Sequence, residues 1–240
     1  MLFLLLAVEG PEGRAQTIGG TSAHGPQSRF CAKTADRSLD RRGLALVYCE
    51  SPSGVALSLE AAHTTARPVF YGAVPAAWAG AALTQNQSAV AAAYRLTLTQ
   101  GLSYGLIVGA KHAVGRSRPY VDLSLEARSE RHNPPAPGDA HLSFPSGHAG
   151  LSAALATSWS LSYPRWYVIG GGAVWATGVA LSRVYLGVHY PSDVLVGAAL
   201  GAGVAVLIHQ LRAIITPSPL RETVGAQRMR GVPVVLRLQF

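Results

Sequence analysis

Charge is scarce in this chain. Asp, Glu, Lys and Arg make up 13% of its 240 residues, against 49% hydrophobic, and that is about half the charged share of an ordinary soluble domain. Acidic residues are the rarer sign, 12 against 20 Lys and Arg, for a formal net charge of +8. Anionic partners are therefore favoured, and with no Asp/Glu cluster in view no metal site and no cofactor are expected. Zinc-finger spacing, an RNP-like aromatic motif and a dense basic run are all missing, which argues against nucleic acid. Cysteine is reduced to Cys31 and Cys49, outside any metal-ligand pattern. One disulfide in an oxidising compartment and two free thiols are both compatible with that pair.

Long charge-free runs are short of what a membrane span usually takes. Pro68 to Thr84, Leu96 to Ala110, His148 to Tyr163, Trp166 to Leu181 and Val194 to Ile208 carry no charge, yet most stop before the lower limit of about 17 apolar residues. Each is too long for a typical strand, and Ala, Leu and Gly dominate, so five helices are expected. Pro164 separates the third from the fourth, and Pro191 suits the first turn of the fifth. Thin or flank-extended transmembrane helices and buried helices of a soluble bundle both satisfy these lengths; the low charge content favours the membrane.

Outside the helices the chain divides further. Residues 1–15 open on MLFLLLAV, a signal-like segment, although no Lys or Arg precedes it. Residues 16–54 read as a loosely structured extension, residues 55–215 as the main domain and residues 216–240 as a tail. Within that tail Val232 to Phe240 alternates like a strand. Between Tyr120 and Phe144 runs a long polar stretch with Pro134, Pro135 and Pro137, a length that usually marks function or mobility.

Chemistry-bearing residues gather at helix ends. Lys111, six residues and Arg118-Pro119 close the second helix; Pro145-Ser146-Gly147-His148 opens the third; Ser182-Arg183, five residues, His189, three residues and Asp193 join the fourth to the fifth. Helices with short connections run antiparallel, so all three motifs converge on one end of the bundle. Taken singly, Lys111 or Arg183 reads as a helix-end cation, Ser146-Gly147 as a cap and turn, and His189 with Asp193 as a structural hydrogen bond. Together at one end, three cations and a helix N-terminus make an anion site suited to a phosphoryl group. The two histidines, His148 and His189, then supply a nucleophile and a proton donor. Arg116, His112, His132, His141, Tyr185 and Tyr190 lie near the motifs and carry less weight.

These three motifs resemble those of the type-2 phosphatidic acid phosphatase (PAP2) superfamily, which includes bacterial acid phosphatases and vanadium haloperoxidases. The resemblance covers roughly residues 68 to 212. It implies an all-α antiparallel bundle of about five core helices, embedded in a membrane, with the active site at one end. It also implies a metal-independent phosphatase in which His189 forms a phosphohistidine and Asp193 orients its ring. His148 would protonate the leaving oxygen, and Lys111, Arg118, Ser146, Gly147 and Arg183 would bind the phosphate. Lipid phosphates or isoprenoid diphosphates are the expected substrates; a soluble exported phosphatase for small phosphomonoesters is the alternative, with a haloperoxidase and a scaffold without catalysis behind it. Basic residues near the C-terminus (Arg212, Arg221, Arg228, Arg230) place that end in the cytoplasm of a bacterial-type inner membrane and the motif end on its outer, periplasmic face.

Overall fold

The computed structural model describes residues 30–31, 38–123, 125, 128 and 138–217. Helices make up almost all of it. In chain order they are α1 (Leu39–Glu50), α2 (Ser53–Thr84), α3 (Gln87–Val114), the single turn α4 (Pro119–Asp122), α5 (Gly147–Ser162), α6 (Trp166–Tyr185), α7 (Pro191–Gln210) and the single turn α8 (Arg212–Ile215), with one 3-10 turn at Asp139–His141. No strand occurs among the described residues. The five expected core helices are α2, α3, α5, α6 and α7, running alternately up and down. The signal-like segment at residues 1–15 and the strand-like Val232 to Phe240 lie outside the described residues.

Two expectations change. Residues 39–50, read as part of a loose extension, form α1: Ser38 caps it through Arg41 N at 3.5 Å. Leu44, Ala45 and Tyr48 fall on one face and are buried with Ala180 of α6 and Val194 of α7. Cys31 and Cys49 are joined in a disulfide that ties the segment before α1 to its end. The second change is length. α2 has 32 residues rather than the charge-free 17, about 48 Å at 1.5 Å per residue, because Glu60, His63 and Arg67 are part of the helix. Pro68 and Pro75 sit inside it without ending it.

The tightest packing joins α5 to α7, where small residues let backbones touch. A Cβ at Gly201 would collide with the carbonyl oxygen of Gly150, and one at Gly197 with that of Ser146. Both are van der Waals contacts of the kind small residues permit between close helices. Two other glycines set the ends of helices beside the site. Gly115, at φ 59°, terminates α3 with its N–H donating to Lys111 O at 3.0 Å. Gly187, at φ 71°, turns the chain after α6. Left-handed conformations of this kind are open to glycine without a Cβ clash.

The outside of the bundle is apolar. Leu102 and Leu106 on α3, Ile169 and Val174 on α6, and Leu195 and Leu207 on α7 are exposed. By length and composition, α7 alone among the described residues passes as a helix able to cross a membrane. Trp166 and Tyr167 stand exposed at the start of α6, at the end away from the motifs, next to Arg165.

Candidate active site

All eight residues singled out from the three motifs lie at one end of the bundle. Lys111 is in the last turn of α3, Ser146 is the N-cap of α5 with Gly147 and His148 as its first residues, Arg183 is in the last turn of α6, and Asp193 is the third residue of α7. Arg118 precedes α4, and His189 sits in the connection from α6 to α7. Local chemistry fixes each. Pro191 opens α7, and the Asp193 carboxylate accepts from the Tyr190 N–H at 2.8 Å, satisfying one of the orphan donors of a helix start. The same carboxylate is thereby aimed back at the residue before Tyr190.

That residue is His189, 2% exposed. Its Nδ1 lies 3.7 Å from Asp193 Oδ2. The Ser143 hydroxyl sits between them, donating to Asp193 Oδ2 at 2.6 Å and lying 3.4 Å from His189 Nδ1. With Nδ1 turned to Ser143 and Asp193, Nε2 is the nitrogen left for a substrate. Burial pushes the imidazole well below its ordinary range; contact with Asp193 opposes this, and the charges of Arg118, Lys111 and Arg183 add to it. All three cations are therefore within electrostatic reach of one ring and add to burial in disfavouring its charged form.

The cations are held by different partners. Lys111 Nζ donates to Leu142 O. Arg118 Nε donates to Asp139 O at 2.8 Å and its Nη2 lies 3.6 Å from Asp139 Oδ2. Arg183, 6% exposed, donates through Nη1 to His63 Nδ1 on α2 at 2.9 Å. Three buried polar atoms of the site have no hydrogen-bond partner: Ser146 Oγ, His148 Nε2 and Arg183 Nε. Leaving such atoms unpaired costs about 1–3 kcal/mol each. A ligand rich in oxygen acceptors, with one atom able to take or give a proton at His148, would satisfy all three.

Several residues were missed in the sequence or underweighted. Ser143 bridges His189 and Asp193. Arg116 donates to Asp193 Oδ1 at 2.6 Å and to Asp40 Oδ2 at 2.8 Å, with its guanidinium 4.2 Å from the Tyr190 ring centre. Asp40, from α1, also accepts from Ser192 N and Ser192 Oγ at 2.8 and 2.6 Å. His63 was not singled out at all. A signal existed for Ser143 and Arg116, since each lies within a few residues of a motif; none existed for Asp40, which arrives from 152 residues away. His112 and His141 are exposed and bond to Val108 O and Ser117 Oγ. His132 lies outside the described residues. A cavity of about 420 Å³ is lined by Ser38, Asp40, Arg41, Arg116, Ser117, Asp122 and Tyr190, and none of the three cations is among its lining residues.

The chain is similar to known proteins over this region. A family model described as PAP2 superfamily matches residues 90–216. An undecaprenyl-diphosphatase from Sulfolobus acidocaldarius is 32% identical over 120 residues, covering 49% of this chain and 55% of that protein. A decaprenylphosphoryl-5-phosphoribose phosphatase from Mycobacterium tuberculosis is 46% identical over 112 residues, 45% of this chain and 54% of that one. The chain thus spans about half the length of the curated relatives it matches. In fold, it superposes on a transmembrane PAP2-type phosphatidylglycerolphosphate phosphatase from Bacillus subtilis with a TM-score of 0.54 at 20% identity, over 79% of this chain and 94% of that one. With the family model covering more than half of its residues, and motif-bearing helix ends gathered as described, this chain belongs to the PAP2 superfamily.

Proposed function

We propose that the protein is a membrane-embedded phosphatase that hydrolyses lipid phosphates or isoprenoid diphosphates through a phosphohistidine at His189, without a metal. The observation that carries this reading is the buried His189 ring, backed by Ser143 and Asp193 and within electrostatic reach of Lys111, Arg118 and Arg183. In the first step His189 Nε2 attacks phosphorus in line with the departing oxygen. The P–O bond breaks, and His148 gives that oxygen a proton. Asp193 stabilises the positive ring as it forms. The cations, with the N–H groups at the start of α5 (Ser146, Gly147), hold the equatorial oxygens where charge develops. His148, now a base, takes a proton from water; the water oxygen attacks phosphorus, releasing inorganic phosphate and restoring His189.

The membrane reading is supported by the exposed large apolar side chains on α3, α6 and α7. For sidedness, the site end carries the Cys31–Cys49 disulfide on α1, which suits an oxidising, outer compartment. Arg165 and Arg212 sit at the other end, as cytoplasmic flanks do. The names of the undecaprenyl-diphosphatase and the decaprenylphosphoryl-5-phosphoribose phosphatase, both isoprenoid-linked, support the substrate class.

The test is phosphate release from a panel of phosphatidic acid, an isoprenoid diphosphate and p-nitrophenyl phosphate, with and without EDTA. Release from the lipids that survives EDTA and is lost in His189→Ala is expected. Lipid-phosphate turnover surviving the loss of that ring would overturn the mechanism, and inhibition by EDTA would overturn the metal-free reading. Recovery of the protein in the supernatant after carbonate extraction would remove it from the bilayer. Protease cleavage of the 120–144 segment from the cytoplasmic side would reverse the orientation.

A further inference from the structure

The three motifs leave α2 out, yet α2 sets His63 and Phe70 against Arg183 and His148. His63, Arg67 and Phe70 recur at i, i+4 and i+7, one face of a helix. That face looks at the reacting groups. His63 Nδ1 accepts from Arg183 at 2.9 Å; since arginine only donates, the His63 ring is neutral with its proton on Nε2. The His63 and His148 ring centres are 6.2 Å apart, and those of Phe70 and His148 5.6 Å. Arg67, one turn further from the start of α2, is exposed and within electrostatic reach of both His148 and Arg183. Below it Phe70 meets Trp175 at 6.2 Å, so this face of α2 becomes apolar in the direction a lipid tail would take.

Resting on the phosphatase reading above, we infer that Arg67 forms a second anion subsite beside His148, on the leaving-group side, which binds the inner phosphate of a diphosphate. The charge arithmetic supports it. Lys111, Arg118 and Arg183 match a terminal phosphoryl group. A lipid alcohol leaving from such a group carries no further charge and gains nothing from Arg67. A diphosphate brings a second phosphate one bridging oxygen away, next to the partly buried His148, where a nearby cation offsets its charge. Arginine's fork can hold two of its oxygens. In the step itself, His189 Nε2 bonds to the terminal phosphorus and the bridging P–O bond breaks. Its electron pair stays on the departing lipid monophosphate, which takes the His148 proton and leaves from beside Arg67. Water then yields inorganic phosphate, so one diphosphate and one water give one lipid monophosphate and one phosphate.

The experiment uses the full chain in detergent micelles with two lipids of equal tail, farnesyl diphosphate and farnesyl monophosphate. We expect Arg67→Gln to lower kcat/KM for the diphosphate by about tenfold or more, the scale of a hydrogen bond to a charged group. Turnover of the monophosphate, which doubles as the folding control, should change by less than about threefold, the size of ordinary surface effects. Arg67→Lys should recover part of the diphosphate activity, because the cation is retained while the fork is lost. A non-hydrolysable farnesyl methylenebisphosphonate should inhibit the wild type better than Arg67→Gln. Equal losses on both lipids, or no loss on either, would overturn the subsite while leaving the phosphatase reading intact. Failure of that reading looks different: no phosphate from either lipid in the wild type, or release unaffected by His189→Ala, and the subsite then falls with it.

Discussion

Arg116 and Asp193 are joined at 2.6 Å through Oδ1, the carboxylate oxygen that His189 and Ser143 do not use. The buried carboxylate thus has a cation on one side and the imidazole on the other. Removing Arg116 would leave Oδ1 with no partner and free the carboxylate to turn. Arg116→Ala is expected to lower kcat by about 10- to 100-fold, the usual effect of losing an orienting partner one shell out, with KM changed by less than about threefold. Asp40→Asn, which loosens Arg116 from the far side, should lie between it and the wild type. Steady-state kinetics decide; a wild-type kcat in Arg116→Ala refutes the orienting role.

Ser143 contributes through the same carboxylate. Its hydroxyl touches both Asp193 and His189, so Ser143→Ala should cost about tenfold in kcat, the worth of a charge-assisted hydrogen bond. In an Asp193→Ala background the same change should cost almost nothing, because the two act as one unit. Additive losses in that double-mutant cycle count against the shared role.

Acid should destabilise the protein through His189. In the folded state burial and the nearby cations hold the ring below its ordinary value of 6.5, so it stays neutral where an unfolded chain takes up a proton. The unfolded state then binds more protons, and stability falls as pH drops through 6.5 towards the folded value. The slope for one such group is about 1.4 kcal/mol per pH unit. Melting temperatures from pH 7 to pH 5 should therefore fall more steeply for the wild type than for His189→Gln. Parallel curves for the two proteins contradict a neutral ring. For the same reason the acid limb of kcat/KM should lie below 6.5.

Gly201→Ala is expected to be severe. The added methyl would strike the Gly150 carbonyl, and backbone cannot give way as a flexible side chain can. Forcing α5 from α7 separates His148 from Asp193 and His189, so both thermal stability and kcat should drop. Gly203→Ala, where a Cβ meets nothing within 4 Å, is the control and should behave as the wild type. A stable, active Gly201→Ala protein is incompatible with the packing.

The reacting groups were legible because their motifs sit at helix ends and short connections force the helices to alternate. Lys111, Arg118, His148, Arg183, His189 and Asp193 could be brought together without coordinates. The α2 face was not. Counting charge-free residues starts the first helix at Pro68, one residue after Arg67. A polar side chain facing a pocket does not end a helix; it only interrupts an apolar run. Asp40 escaped for another reason, since its worth lies wholly in a contact with Ser192 and Arg116 that no local pattern announces. The disulfide was left open for the same cause: whether two cysteines meet depends on where α1 docks.

Backbone-to-backbone contact between α5 and α7 has a mechanical outcome. The Ser146 N–H donates to Asp193 O at 2.9 Å, and the glycine seam continues below it, so the start of α5 with His148 and the start of α7 with Asp193 form one close-packed unit. Packing this close leaves the two helices little room to shift against each other. Any widening of the site must come from α2, which rests chiefly on α3 and α6. A lipid entering from that side would therefore meet Arg67 and Phe70 first.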